Sequence, residues 1–391
     1  MRVLHVVPTY LPAWRHGGPI LAVHGLAKAL AARGHAVTVF TTDVHGEERL
    51  DVPLATPVPI DGVAVWYFPV RFPRRLYRSP ALAAALVHRL PEIDLVHLHS
   101  VFLWPTSAAA RAACRAGVPY LLAPRGMLVG DLLRRRGRLR KRLWIELAER
   151  RTIAQAAGLH VTSELEAEEI ARLGLSLPPV HLVPNGVEPA SLPADAALSP
   201  AVRAALARPP LLLYLGRVSW KKGLDRLIPA LAQVPGATLA VAGNDEEGYQ
   251  GRLEQLAREA GVAERVLFLG GVHGADKAAL LHGAAALVLP SYSENFGNAV
   301  LEAMAAGRPV VVTPEVGLAG VVEETGAGLV AAGDPPVLGA ALRELLGDPE
   351  RCEEMGRRGV AAAELRFGWG RIAARMEEVY AMVLSTRRAA A

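Results

Sequence analysis

Cysteine is nearly missing from this 391-residue chain. Cys114 and Cys352 are the only two, too few for a disulfide framework or a cysteine-rich zinc cluster. Long hydrophobic runs are missing too: no stretch approaches the ~18–20 apolar residues that span a bilayer. Charge of one sign is in short supply, because 43 Lys plus Arg stand against 38 Asp plus Glu, a net of +5. That excess is too small for a general nucleic-acid coat protein, so no nucleic-acid partner is expected. The opening Met1–Pro8 stops at a proline before reaching the length of a secretory signal, and it reads as a first strand. These absences together predict a soluble, reducing, cytoplasmic chain. What is plentiful is apolar residues, 51% against 21% charged, which excludes disorder and fibrous structure. At roughly 100–200 residues per domain the length predicts two domains.

Short apolar strands alternate with Ala- and Leu-rich helical stretches. The strands predicted in the first half are Val3–Val7, Ala36–Thr41, Val63–Phe68, Leu95–Leu98, Tyr120–Ala123, Leu159–Thr162 and His181–Val183. Their continuous apolar character suits strands covered on both faces. The helix pattern Ile20–Ala32 between the first two is closed by a glycine at Gly34. From Gly186 to Pro210 the periodicity fails and prolines crowd in, which predicts an interdomain linker. Alternation restarts with Leu211–Leu215, Thr238–Ala242, Val266–Leu269, Leu287–Leu289, Val310–Thr313 and Gly328–Ala331. The expected architecture is α/β, with two doubly wound parallel-sheet domains over residues 1–186 and 209–368. A last helix, within residues 369–391, is expected to pack back on the first domain. Open parallel sheets bind ligands at the carboxyl ends of their strands, so the two crevices are expected to face one another across a cleft.

Reactive residue types cluster just after the strands. After Ala286–Pro290, a turn-like stretch Ser291–Gly297 opens a helix from about Asn298, with Glu294 in the loop and Glu302 about one turn into the helix. The backbone N–H groups of Phe296, Gly297 and Asn298 at the helix start form an anion site. The plainer reading is that both glutamates merely suit a helix N-terminus. After Leu211–Leu215 comes Gly216-Arg217, with Lys222-Gly223 five residues on. Arg217 offers a bidentate fork and Lys222 a mobile charge for phosphate oxygens, with glycines permitting close backbone approach. A solvated basic loop is the alternative. Gly17-Gly18-Pro19 after the first strand reads equally as a phosphate or sugar turn or as an ordinary strand-to-helix turn. His97 and His99 are expected on opposite sides of their strand, with His99 the candidate to face ligand and a satisfied structural histidine the alternative. No third histidine or carboxylate stands at ligand spacing, so no metal is expected. Arg125, after Tyr120–Ala123, is placed in the cleft. The nine residues from Arg134 to Arg142 hold six arginines and Lys141. A Trp144-bearing apolar stretch follows, so the pair suits either an anionic membrane surface or plain solvation.

Together these strings resemble the family-4 retaining glycosyltransferases of GT-B fold, across nearly the whole chain. Gly17-Gly18-Pro19, Pro124-Arg125-Gly126-Met127-Leu128 and Pro184-Asn185-Gly186-Val187 support the resemblance; Gly216-Arg217 with Lys222-Gly223, and Glu294 with Glu302, are the specific parts. The resemblance implies retaining sugar transfer from a nucleotide sugar, a UDP- or GDP-sugar, to a saccharide or lipid-linked acceptor. The setting implied is cell-surface polysaccharide, lipopolysaccharide or glycolipid synthesis, in the cytoplasm or peripheral at the inner membrane face. It implies that Arg217 and Lys222 neutralise the diphosphate and that Glu294 engages the donor sugar, with Phe296, Gly297 and Asn298 beside it. Glu302 then holds the ribose, and Gly271 and Val272 border the base. No metal or other cofactor is implied, and the lack of an Asp-x-Asp triplet agrees. His99 and Arg125 fall to the acceptor or cleft. Many family members have His-Gly where this chain has Arg125-Gly126, and a protonated Arg cannot be a general base. A front-face mechanism, in which the departing phosphate takes the acceptor's proton, needs none. An oxidoreductase would require GxGxxG and an acid ~20 residues on, and neither half has it. A nucleotide-sugar epimerase of similar shape and a non-catalytic sugar-binding protein stand as alternatives.

Overall fold

The computed structural model describes residues 1–13, 18–128, 149–193, 195–245 and 247–390. It divides into two compact units, Met1–Gly186 with the segment from Trp369 onward, and Val187–Gly368.

In the first unit β1 (Arg2–Val6), β2 (Ala36–Thr42), β3 (Val44–His45), β4 (Glu48–Arg49) and β5 (Pro57–Ile60) come first. They are followed by β6 (Val63–Phe68), β7 (Leu95–His99), β8 (Tyr120–Ala123), β9 (Gly158–Val161) and β10 (Val180–Leu182). All but the small β3–β4 pair share one sheet, ordered β10-β9-β8-β7-β1-β2-β6-β5. β7, β8 and β9 are buried along their whole length, which is why they read as unbroken apolar runs. Within that sheet, among the described residues, β5 alone runs antiparallel, against β6. Its Pro57 and Pro59 hide it from a strand pattern, yet a sheet edge is where a missing N–H is tolerated. The signal for it is Asp61-Gly62, both at positive φ (47° and 81°), the dipeptide that favours a two-residue hairpin turn.

The last helix, Trp369–Ala390, lies on the helix Gly18–Ala32 of the same unit. Ile372, Met376 and Val379 join Ile20, Val23 and Leu26 in one apolar cluster. At its rim Arg33 donates two hydrogen bonds to Glu377, at 2.7 and 2.6 Å. The Trp369 ring occupies the space that a side chain would need at Gly25 or Gly186, with ring carbons 2.3 and 2.4 Å from the respective Cβ positions.

The second unit has β11 (Leu211–Leu215), β12 (Thr238–Ala242), β13 (Val266–Gly270), β14 (Ala286–Leu289), β15 (Val310–Val312) and β16 (Gly328–Val330). All six are parallel, in the order β13-β12-β11-β14-β15-β16. Numbered within the unit this is 3-2-1-4-5-6, the doubly wound order with its switch point between β11 and β14. The proline-rich stretch predicted as a linker is part of this unit's structure. Val187 N–H donates to the Phe367 carbonyl at 2.8 Å, and Ser199 caps a helix Pro200–Leu206 whose Val202 and Ala205 are buried in the core. Seven residues are too few for a periodicity to show, and the proline at the first helical position reads as a breaker although it is favoured there.

Replacing Gly25 with Val pushes a branched side chain into the Trp369 ring. The expected cost is about 1–3 kcal/mol, read as a lower unfolding midpoint together with faster proteolysis of the last helix. An unchanged midpoint would show that the helix is not seated by this contact.

Candidate active site

In the second unit the site is built on the strand ends at the switch point. After β11 the chain passes Gly216 and Arg217 and makes a single 3₁₀ turn, Trp220–Lys222. Gly223 ends that turn at φ +67°, and a Cβ there would stand 1.9 Å from the Pro290 carbonyl oxygen. Only glycine allows this approach, and it draws Lys222 against the loop that follows β14. Lys222 Nζ is ion-paired with Glu294, each side chain less than one-fifth exposed. The Glu294 loop is fixed on both flanks: Tyr292 N–H donates to the Lys221 carbonyl (2.7 Å), and Glu294 N–H donates to that of Glu315 (3.0 Å). Tyr214 holds the Arg217 backbone. Its hydroxyl donates to the Arg217 carbonyl at 2.7 Å, and its pKa is raised by burial and then by Glu294, with Arg217 opposing. The Arg217 side chain itself is exposed.

Phe296 is buried, edge-on to Phe367, and so serves the core, leaving its backbone at the helix start. Gly297, at φ +99°, opens the helix Asn298–Ala305. Glu302 on that helix accepts from Lys277 Nζ at 2.7 Å. Lys277 lies in the first turn of the helix Gly274–Gly283, soon after β13, where its position after a strand is the one signal in the sequence that points to it. Gly271 lies against Asn244, whose Oδ1 is 2.5 Å from where a Cβ would stand. Val272 is buried in the core cluster. Lys222 with Glu294, and Lys277 with Glu302, are therefore brought into contact.

The first unit repeats the arrangement, with its switch point between β1 and β7. Gly18 opens the first helix. Gly17, with Trp14–His16 before it, lies outside the described residues, as do the Arg134–Arg142 run and Trp144. His97 and His99 do not point opposite ways. Residues i and i+2 of a strand share a face, and their ring centroids are 4.3 Å apart. His5 on β1 and His160 on β9 join them on that face, and all four rings are buried. Arg125 Nη2 donates to His99 Nδ1 (3.3 Å) and Nη1 to Asn185 Oδ1 (2.8 Å). His99 Nε2–H then donates to His5 Nδ1 at 2.9 Å. A second relay is set by its end: the Val183 carbonyl accepts from His160 Nε2 at 2.8 Å. Nδ1 of His160 accepts from His97 Nε2 (3.2 Å), and His97 Nδ1 from the Tyr380 hydroxyl of the last helix (2.8 Å).

Ring nitrogens of His5, His97 and His99 lie within 4.8 Å of one another, so the reasoning that no third histidine reaches the pair is overturned by the fold. Most of those nitrogens are engaged in the relays, and a guanidinium contacts His99. Both features oppose a cation. A cavity of about 150 Å³ opens beside His99 and Arg125, lined also by Thr9, Tyr77 and Ser100. Ser100, Phe102 and Arg125, all at the ends of β7 and β8, have φ of 72°, 63° and 56°. Such left-handed non-glycine residues cluster at functional sites.

Residues 17–186 match the Glycosyl transferase 4-like domain, and residues 199–361 match Glycosyl transferases group 1. D-inositol 3-phosphate glycosyltransferase of Xylanimonas cellulosilytica is 32% identical, over 95% of this chain and 93% of that protein. The chain is a group 1, family-4-like glycosyltransferase. Glycogen synthase of Mycobacterium tuberculosis is 30% identical over 97% of this chain and 94% of its own length. Among solved structures, Anabaena HepE in complex with UDP-glucose superposes with a TM-score of 0.76 at 21% identity, covering 98% of this chain and all of that one. The two Rossmann-like sheets of this glycosyltransferase are the GT-B fold.

Burial, and then the Arg125 charge, push His5 and His160 down to about 3; His97 and His99 are lowered well below the usual value, chiefly by burial. The unfolded chain therefore binds protons that the folded unit refuses between pH ~6.5 and ~3, and stability falls as pH drops through that window. Urea unfolding followed by tryptophan emission, which comes mostly from this unit, should show a midpoint falling steeply below pH 6.5. A midpoint flat from pH 6.5 to 5 would contradict the buried neutral relays.

Proposed function

We propose that this glycosyltransferase moves a sugar from a UDP- or GDP-sugar to an acceptor hydroxyl with retention of configuration and without a bound metal. The observation that carries the reading is the Lys222–Glu294 pair at the switch point, with Arg217 just after β11, its backbone carbonyl held by Tyr214. A diphosphate entering there takes Lys222 and Arg217 as counter-charges and frees Glu294 to accept hydrogen bonds from the donor sugar's hydroxyls. The Gly297 and Asn298 amides at the helix start face the same phosphates. Glu302, held by Lys277, is positioned for ribose hydroxyls. Gly271 and Val272 border the base in this reading.

As the bond from the anomeric carbon to the phosphate oxygen breaks, negative charge gathers on the leaving group, where a preorganised cationic pair stabilises it. The acceptor oxygen bonds to the anomeric carbon from the same face, and its proton passes to the departing phosphate oxygen. No protein base is needed, in keeping with arginine at position 125. Burial lowers the Arg125 pKa to about 10, so the guanidinium stays charged near neutrality and suits an anionic acceptor group in the cavity beside His99. Similarity to a D-inositol 3-phosphate glycosyltransferase supports such an acceptor, and similarity to HepE with UDP-glucose supports a UDP-sugar donor. We read the product as a cell-surface polysaccharide, lipopolysaccharide or glycolipid precursor, made on a saccharide or lipid-linked acceptor in the cytoplasm at the inner membrane face. The arginine run from Arg134 to Arg142 supports that last part.

Thermal-shift screening of UDP- and GDP-sugars should show selective stabilisation by one donor, and turnover with it should survive EDTA. Lys222→Ala is expected to lower kcat by roughly 10²–10³-fold, and Glu294→Gln to weaken discrimination between donor sugars. A Lys222→Ala variant with full turnover would remove the basis of the reading. Arg125→Ala should raise the acceptor KM while leaving donor affinity intact; unchanged kinetics would take Arg125 out of the site.

A further inference from the structure

We propose that an arginine-lined hollow over residues 69–78 of the first unit docks anionic phospholipid at a membrane surface, with Phe72 entering the apolar layer. The inference deepens the membrane part of the reading above and rests on it for the acceptor, not for the binding itself. The hollow has a volume of about 690 Å³ and is lined by Arg49, Arg71, Arg74 and Arg78 around Phe72. Phe72 is 90% exposed, the most exposed large apolar side chain in the described structure. No Asp or Glu occurs from Gly62 to Pro91, although the adjacent β3–β4 turn carries Glu47 and Glu48.

The base of the hollow is cross-linked by hydrogen bonds. Buried Asp43 accepts from Arg49 Nη1 at 3.0 Å and from the Val70 N–H at 2.9 Å, while Arg49 Nη2 donates to the Val70 carbonyl at 3.0 Å. Arg78 donates to the Phe72 carbonyl at 3.3 Å, holding the tip. Arg74 donates to the Gly46 and Glu48 carbonyls. Those bonds leave further N–H groups on each fork, and Arg71 and the neighbouring exposed Arg75 have no side-chain partner among the described residues. Guanidinium forks match phosphate oxygens in pairs. A soluble phosphate would use the arginines and leave Phe72 in water. A bilayer interface uses both, with the ring at the acyl boundary and the cations among the headgroups.

The full chain should be sedimented with vesicles of phosphatidylcholine alone or mixed with phosphatidylglycerol. Binding is expected only to the anionic vesicles. Removing Arg71 and Arg75 together (Arg71→Gln with Arg75→Gln) should weaken it roughly thirtyfold, at about fivefold per arginine. Phe72→Ala should weaken it by about tenfold or more. Sugar transfer to a soluble acceptor and the unfolding midpoint should not change, since these side chains are exposed. Wild-type binding by both variants would overturn the proposal. If neutralising the Arg134–Arg142 run alone abolishes binding, the membrane reading stands and this hollow is dismissed. Binding that ignores Phe72→Ala but is displaced by inorganic phosphate makes the hollow a phosphate site, which also overturns it. No vesicle binding by the wild type overturns both.

Discussion

Lys222 and Glu294 lie 72 residues apart in sequence, and their contact is the constraint from which the rest of the second unit's site takes its shape. The doubly wound order sets β14 beside β11, so the loops leaving both strands emerge side by side. Adjacency of strands alone leaves a gap between loops, and Gly223 closes it by letting backbone rest on the Pro290 carbonyl. The resulting ion pair is largely withdrawn from water, where its charges interact more strongly than at an open surface. The loop that carries Glu294 is in turn held by the Lys221 and Glu315 carbonyls, so the pair sits on fixed backbone at the strand ends.

Much of this was legible in the sequence because a parallel sheet buried on both faces writes itself as unbroken apolar runs, and because strand ends are where ligand chemistry collects. Both sheets and the positions of Arg217, Lys222, Glu294 and Glu302 follow from that reasoning. What escaped it has physical causes. The edge strand β5 is masked by two prolines that only an edge tolerates. The helix at Pro200–Leu206 is too short to show a period. Lys277 meets Glu302 through tertiary packing of two helices, which no local pattern encodes. The pairing of His97 and His99 was legible, since i and i+2 always share a face, but their meeting with His5 and His160 depends on strand order.

The first unit solves a different electrostatic problem. Arg125 sits in left-handed backbone, half-buried, with amide and imidazole acceptors at its guanidinium rather than a carboxylate. Glu166, whose charge acts on it, accepts from the Gly126 and Thr162 amides. Neutral rings supply dipoles but no negative charge, so the cation keeps its field toward the neighbouring cavity. The second relay runs from His160 through His97 to Tyr380, so the last helix helps fix the polar interior of the sheet as well as its apolar flank.

That helix belongs to a unit whose other residues all precede Val187. During synthesis the ribosome must deliver the entire second unit before Trp369 and the residues after it leave the exit tunnel, a delay on the order of ten seconds or more at cellular elongation rates. Until then Ile20, Val23 and Leu26 lack their cover and the His97 ring lacks its phenol. The first unit thus has to wait with part of its core open, whereas the second is contiguous in sequence and needs no later segment to complete it.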